Sequence, residues 1–239
     1  MNVYNLVLEV TRNCNLRCPH CLRGQARRVR MSRQVLTLAV TGCDFASVTF
    51  TGGEPSLGVE VIEDFIDLCR WRNIRFNYFY IVTNGHRHNR YGRFLKSCQT
   101  LYDRADEQDM CSLEISRDQF HDYDKKLLWK FQDENYGEYP VWFHPENRTE
   151  YIENVIDEGM AHLNGLGSKE RPEQKPWEID RFDNVTEAEV YVSANGNVVS
   201  CCDMSYARID AEAKGNVLKT PLSQIIESYC VKEEQEEAA

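Results

Sequence analysis

The chain has 239 residues and a formal net charge of −10, from 28 Lys and Arg against 38 Asp and Glu. That length fits one large domain with a sizeable core, and the acidic balance gives no reason to expect a nucleic-acid backbone or an anionic membrane as partner. No apolar run has the length needed to cross a bilayer. Met1-Asn2-Val3-Tyr4 lacks a basic segment leading into an apolar stretch, so it does not read as a signal peptide. Ten cysteines in a chain of this size then read as reduced thiols of a cytoplasmic protein rather than a secreted disulfide framework.

In chain order, the apolar run Val3–Val10 reads as a strand, and Cys14-Asn15-Leu16-Arg17-Cys18-Pro19-His20-Cys21 follows it. Clustered thiols need a chemical reason, because exposed thiols oxidise and thiolates seek metals. A closed structural zinc or iron–sulfur site takes four protein ligands, whereas three leave a position open for water or substrate. Ser32 is a candidate cap for a helix carrying Val35, Leu36, Ala39 and Val40. Ala46–Thr51 reads as a second strand closing on Gly52-Gly53-Glu54-Pro55. Glycines there let the backbone approach a ligand or take positive φ, and the carboxylate can receive an ammonium. The plainer alternative is a tight strand-to-helix turn.

Val61, Ile62, Phe65, Ile66 and Cys69 fall at helical spacing. A strand through Phe79–Val82 leads into Thr83-Asn84-Gly85, and Tyr91, Phe94, Leu95, Cys98 and Tyr102 make the next amphipathic helix. Ser112–Ser116 reads as a fourth strand, Tyr123–Phe131 as a helix and Val141–His144 as a fifth strand. Thr149 is the expected cap of a helix with Ile152, Val155, Ile156 and Met160, stopped at Gly165. Repeated strand–helix units argue for parallel strands with right-handed crossovers, and polar residues at strand C-termini are then site candidates. Residues 167–183 read as a loop or lid. Beyond them Val190–Val192, Asn195-Gly196 and Val198-Val199 make a hairpin, and Thr220 and Pro221 open a last helix to Tyr229.

Cys14-x3-Cys18-x2-Cys21 and Gly52-Gly53-Glu54-Pro55 together resemble the two motifs of the radical S-adenosylmethionine (radical SAM) superfamily. The resemblance implies α/β architecture, an incomplete (βα)6 partial TIM barrel over residues 1–166, with a small hairpin-and-helix extension over residues 184–239. It implies one 4Fe–4S cluster on Cys14, Cys18 and Cys21, with SAM chelating the open iron. Reductive cleavage of SAM then yields a 5′-deoxyadenosyl radical that abstracts hydrogen from a substrate. Gly52, Gly53 and Glu54 would meet the SAM amino group, Asn84 and Ser116 its ribose and carboxylate, and His20 would stand where the family often has an aromatic residue near adenine. Asp118 and His121 are candidates to face the substrate.

The hairpin, Cys201-Cys202 and Gly215-Asn216-Val217 resemble the start of a SPASM or twitch extension, which favours a peptide or protein substrate over a small molecule. Thr220 stands where that motif expects its next cysteine and only Cys230 lies downstream, so the extension is expected to be degenerate and without a cluster. A flavodoxin or ferredoxin-like electron donor is the implied partner. Three other readings stay open: an activase for a glycyl-radical enzyme, a nucleoside- or nucleotide-modifying enzyme, and a non-enzymatic iron–sulfur or zinc protein. In the zinc case His20 or a distant cysteine would complete the site.

Overall fold

The structure, a computed structural model, describes residues 1–86, 91–121, 140–144, 153–186 and 189–232. The expected helix Tyr123–Phe131 and the expected cap Thr149 lie outside them, as do residues 233–239.

The sheet is built around β1 (Asn2–Thr11), whose residues from Leu6 to Thr11 are all buried. Both faces are covered, as parallel strands in α/β proteins require. Leu6, Leu8 and Val10 enter the main core with Phe50, Phe65 and Phe79, each contributing about 1.5–3 kcal/mol on burial. Val7, on the other face, joins a smaller cluster with Tyr191, Val199, Met204, Tyr206 and Ile209.

Alternation continues through α1 (Arg33–Val40), β2 (Asp44–Gly52), α2 (Val59–Arg72), β3 (Tyr78–Thr83), α3 (Tyr91–Tyr102) and β4 (Ser112–Ile115). β1 to β4 lie side by side, all parallel. Ser32 caps α1 by accepting the Val35 amide, as its sequence position predicts. The rest of the chain adds α4 (Gly159–Leu163), β5 (Trp177–Ile179), β6 (Asn184–Val185), β7 (Val190–Val192), β8 (Asn197–Val199), α5 (Tyr206–Ala211), β9 (Gly215–Asn216), α6 (Leu222–Ser228) and β10 (Cys230–Lys232). β6 and β7 both pair in parallel with the free edge of β1, and β7 and β8 form the expected hairpin with Gly196 at φ +84°.

Three expectations are corrected. Residues 140–144 make a turn in which the Phe143 amide donates to the Pro140 carbonyl at 2.8 Å, and Phe143 keeps a single parallel bridge to Leu113. The helix expected through Val155 and Ile156 starts only at Gly159, whose φ of +57° is incompatible with helix continuing upstream. Gly165, at φ +64°, follows that helix as expected. In α6 it is Pro221 that occupies the cap position, with Thr220 one residue outside.

Candidate metal and cofactor site

The loop after β1 leaves and returns at one place. The Arg12 amide donates to Val29, the Arg27 amide to Arg12 and the Met31 amide to Val10, at 2.8, 2.9 and 3.0 Å, so residues 27–31 close the base of the cysteine loop. The top of the loop is held from the other side. The Met160 amide donates to the Cys21 carbonyl at 2.8 Å and Asn164 Nδ2 to the Pro19 carbonyl at 2.9 Å. A side chain at Gly159 would run into the Leu22 carbonyl.

Cys14, Cys18 and Cys21 are free, half-buried and on the wall of one cavity of about 570 Å³ at the C-terminal ends of β1, β2 and β3. The same cavity is lined by Gly52, Gly53, Glu54, Asn84, Ser116, His20 and His121, so the fold gathers every sequence-chosen residue except Asp118. Burial, then the neighbouring Cys21 and Cys14, push the Cys18 thiol up to about 12, and burial also raises Cys14. Three thiols at such spacing on one cavity suit a metal or iron–sulfur centre.

The two glycines serve a purpose the sequence reading did not assign. The Gly53 amide donates to Thr11 at 2.7 Å and the Glu54 amide to Asn13 at 2.9 Å, so the end of β2 is laced to the first residues of the cysteine loop. A Cβ at Gly52 would collide with the Thr11 carbonyl, and one at Gly53 with that of Asn13. Close approach of backbone to backbone, not only of backbone to ligand, demands Gly-Gly here.

Glu54 is 1% exposed. Its Oε1 accepts from the Ser56 amide at 3.1 Å and Thr83 Oγ1 at 2.6 Å, and its Oε2 accepts from the Asn84 amide at 2.8 Å. Burial raises its pKa while those hydrogen bonds pull the other way. Asn84 Nδ2 donates to Asn15 Oδ1 at 3.1 Å and points at Cys14 Sγ, 3.8 Å away. Asn84 thus joins the carboxylate to the first cysteine. The Ser116 amide donates to Thr83 at 2.9 Å, which places Ser116 beside them.

Beside Cys18, His121 Nε2 stands 3.6 Å from its Sγ, and His121 Nδ1 lies 2.8 Å from both oxygens of Asp118. Asp118 therefore stands behind His121 instead of facing the cavity. His20 stacks on Phe120, with ring centroids 4.1 Å apart, and meets His121 edge-on at 5.2 Å. Burial and the nearby His121 lower the His20 pKa.

Sequence reasoning missed Thr83, although it adjoins Asn84 in the same strand-end motif, and it gave Arg23 no inward role. Arg23 instead turns inward, donating from Nη1 to the Met204 carbonyl at 2.9 Å and lying 5.1 Å from the Tyr191 ring centroid. Arg27 and Arg30 make exposed ion pairs with Asp210 and Glu60. Cys202 lines the cavity with the loop cysteines, while Cys230 sits on β10 with its thiol 3.2 Å from the Glu227 carbonyl.

No protein-family model matches the chain, and no curated protein does. Among solved structures it is similar to native anSMEcpe with bound AdoMet and Cp18Cys peptide, at 14% identity and a TM-score of 0.48, covering 97% of this chain and 84% of that one. It is also similar to SuiB of Streptococcus suis bound to the precursor peptide SuiA, at 12% identity and a TM-score of 0.42, covering 93% of this chain and 64% of that one.

Proposed function

We propose that the chain is a radical SAM enzyme with one 4Fe–4S cluster on Cys14, Cys18 and Cys21. The observation that carries this reading is the junction of the two motifs: Gly53 and Glu54 are hydrogen-bonded to the base of the three-cysteine loop, and all three thiols share a cavity with the Glu54 carboxylate. With SAM bound, the cluster supplies the reductive cleavage that makes a 5′-deoxyadenosyl radical for hydrogen abstraction. The protein's work is to bind, orient and exclude water.

Glu54 receives the SAM ammonium. Its buried carboxylate is held rigid by Thr83, Asn84 and Ser56, and an arriving cation offsets the cost of its burial. Gly52 and Gly53 fix the depth of that carboxylate relative to the loop. Asn84 and Ser116 contact the ribose and carboxylate from the ends of β3 and β4, and His20 packs near the adenine. Asp118 orients His121 toward the cavity.

The β1–α3 repeat supports a partial (βα)6 barrel over residues 1–166, followed by a connecting segment over residues 167–183 that carries β5, and an extension over residues 184–239 that closes the β1 edge. The SPASM-like hairpin favours a peptide or protein substrate, and the acceptor cluster calls for a flavodoxin or ferredoxin-like donor in a reducing cytoplasm. The test is anaerobic incubation of reconstituted protein with SAM and dithionite. Formation of 5′-deoxyadenosine and methionine, lost on Cys18→Ala, supports the proposal. An iron-loaded protein that leaves SAM intact overturns it.

A further inference from the structure

Beside the cysteine loop, the turn after β4 completes a group of metal-ligating side chains that contains no thiol. Ligand atoms of His20, Asp118 and His121, one from each, lie within 4.8 Å of one another. The turn itself builds one side of the group. The Phe120 amide donates to Asp118 Oδ1 at 2.8 Å, and the His121 amide donates to the Asp118 carbonyl at 3.2 Å. Both Asp118 oxygens stand 2.8 Å from His121 Nδ1, and the two side chains are only 8% and 13% exposed. Neighbouring ligands on one cation, each bonded at about 2.05 Å, are about 3 Å apart. His20 reaches the group from the cysteine loop, stacked on Phe120 and edge-on to His121 with ring centroids 5.2 Å apart. Two imidazoles on one tetrahedral cation have their centroids about 5 Å apart. A second, independent observation concerns His20 itself. Among the described residues its Nδ1 is a buried nitrogen with no hydrogen-bond partner, and a buried polar atom of that kind calls for a ligand or ion to satisfy it.

We propose that His20, Asp118 and His121 bind one divalent first-row transition cation, with His121 ligating through Nδ1. Two imidazoles and a carboxylate suit such a cation and leave at least one position for water. With Nδ1 on the metal, the His121 proton sits on Nε2 and donates toward Cys18 Sγ at 3.6 Å. Without the metal the proton sits on Nδ1 and donates to the Asp118 carboxylate. Binding thus moves one proton from one ring nitrogen to the other and transfers no electron. None of the three ligands is a cysteine, so the site fills with or without a cluster nearby. The inference does not rest on the radical SAM reading.

The test takes the loop thiols out of the competition. The full chain carrying Cys14→Ala, Cys18→Ala and Cys21→Ala together, metal-free and anaerobic, is titrated with Co²⁺ and then Zn²⁺. The proposal predicts one cobalt per chain, with visible d–d bands, no thiolate charge-transfer band, and displacement by zinc. X-ray absorption of the zinc-loaded triple variant shows only nitrogen and oxygen neighbours. In that background His20→Gln, Asp118→Asn and His121→Gln each lower the affinity at least about tenfold, the cost of losing even an outer partner. His162→Gln, which alters an exposed histidine paired with Asp157, leaves it unchanged. Absence of cobalt uptake overturns the proposal, as does uptake indifferent to all three ligand substitutions, or a sulfur neighbour on the zinc. A second readout covers a triple variant that does not fold: excess zinc shifts the His20 and His121 ring ¹⁵N resonances of the parent chain, and unshifted resonances overturn the proposal. The radical SAM reading is judged separately, by whether the parent chain builds a cluster that responds to SAM.

Discussion

Arg12 and Asp210 stand 198 residues apart in the chain and meet in a two-point ion pair, Nη1 to Oδ2 at 2.7 Å and Nη2 to Oδ1 at 2.8 Å. Arg12 Nε also donates to Glu9 Oε1 at 2.6 Å, and Glu9 accepts from Tyr191 Oη at 2.6 Å and from the Ala194 amide at 3.1 Å. The residue that opens the cysteine loop is thereby tied to the hairpin and helix that follow residue 190.

Removing Arg12 strands a buried carboxylate, since both Glu9 and Arg12 are 0% exposed. Arg12→Ala is expected to cost about 3–5 kcal/mol, read as a lower urea midpoint. Arg12→Lys restores little of it, because one ammonium cannot serve Glu9 and the two Asp210 oxygens in that fork geometry.

The same pair gives a pH dependence. Burial alone would raise the Asp210 pKa, but the hydrogen bonds and charge of Arg12, with Arg27 and Asn197, hold it below the ordinary 3.8. A depressed folded-state pKa contributes stability that is present above the unfolded value and lost as pH falls through the folded one. Asp210→Asn should therefore flatten the fall in unfolding free energy on acidification from about pH 5 downward. An unchanged slope would count against the pair.

Gly53→Ala forces a Cβ into the Asn13 carbonyl and must move the cysteine loop. The expected loss is above about 3 kcal/mol, as for other strained backbone sites, together with reduced iron uptake on reconstitution. Gly92→Ala, in α3 with open space around the new Cβ, should instead stabilise by about 0.5–1 kcal/mol. Thermal melts of the two variants make the comparison.

Much of this was legible in the sequence, for stated reasons. β1 to β3 are apolar runs with turn residues after them, and the spacing of Cys14, Cys18 and Cys21 with Gly52 to Glu54 one unit later marks a cavity that the fold does assemble. Helix α5 was not legible: its buried face is only Tyr206 and Ile209, too few positions to set a period. The Arg12–Asp210 tie could not be read either, because nothing local tells a charged residue what lies 198 positions away. Val141–His144 misled because an apolar, aromatic segment looks like a strand until Pro140 turns it.

Glu54→Gln keeps the shape of the side chain and removes its charge. One of the three donors around it then faces an amide nitrogen, costing about 1–3 kcal/mol, while the three thiols are untouched. The variant should take up iron like the parent and bind SAM at least tenfold more weakly. Equal SAM affinity would remove Glu54 from the proposed role.

The central claim is that Cys14, Cys18 and Cys21 hold a cluster whose open iron takes SAM. Its most direct test is electron paramagnetic resonance of the anaerobically reconstituted, dithionite-reduced chain, with and without SAM. The account predicts a reduced 4Fe–4S signal that changes shape on adding SAM, absent in Cys14→Ala, Cys18→Ala and Cys21→Ala and retained in Cys230→Ala. A signal indifferent to SAM, or one that survives loss of a loop cysteine, would contradict it.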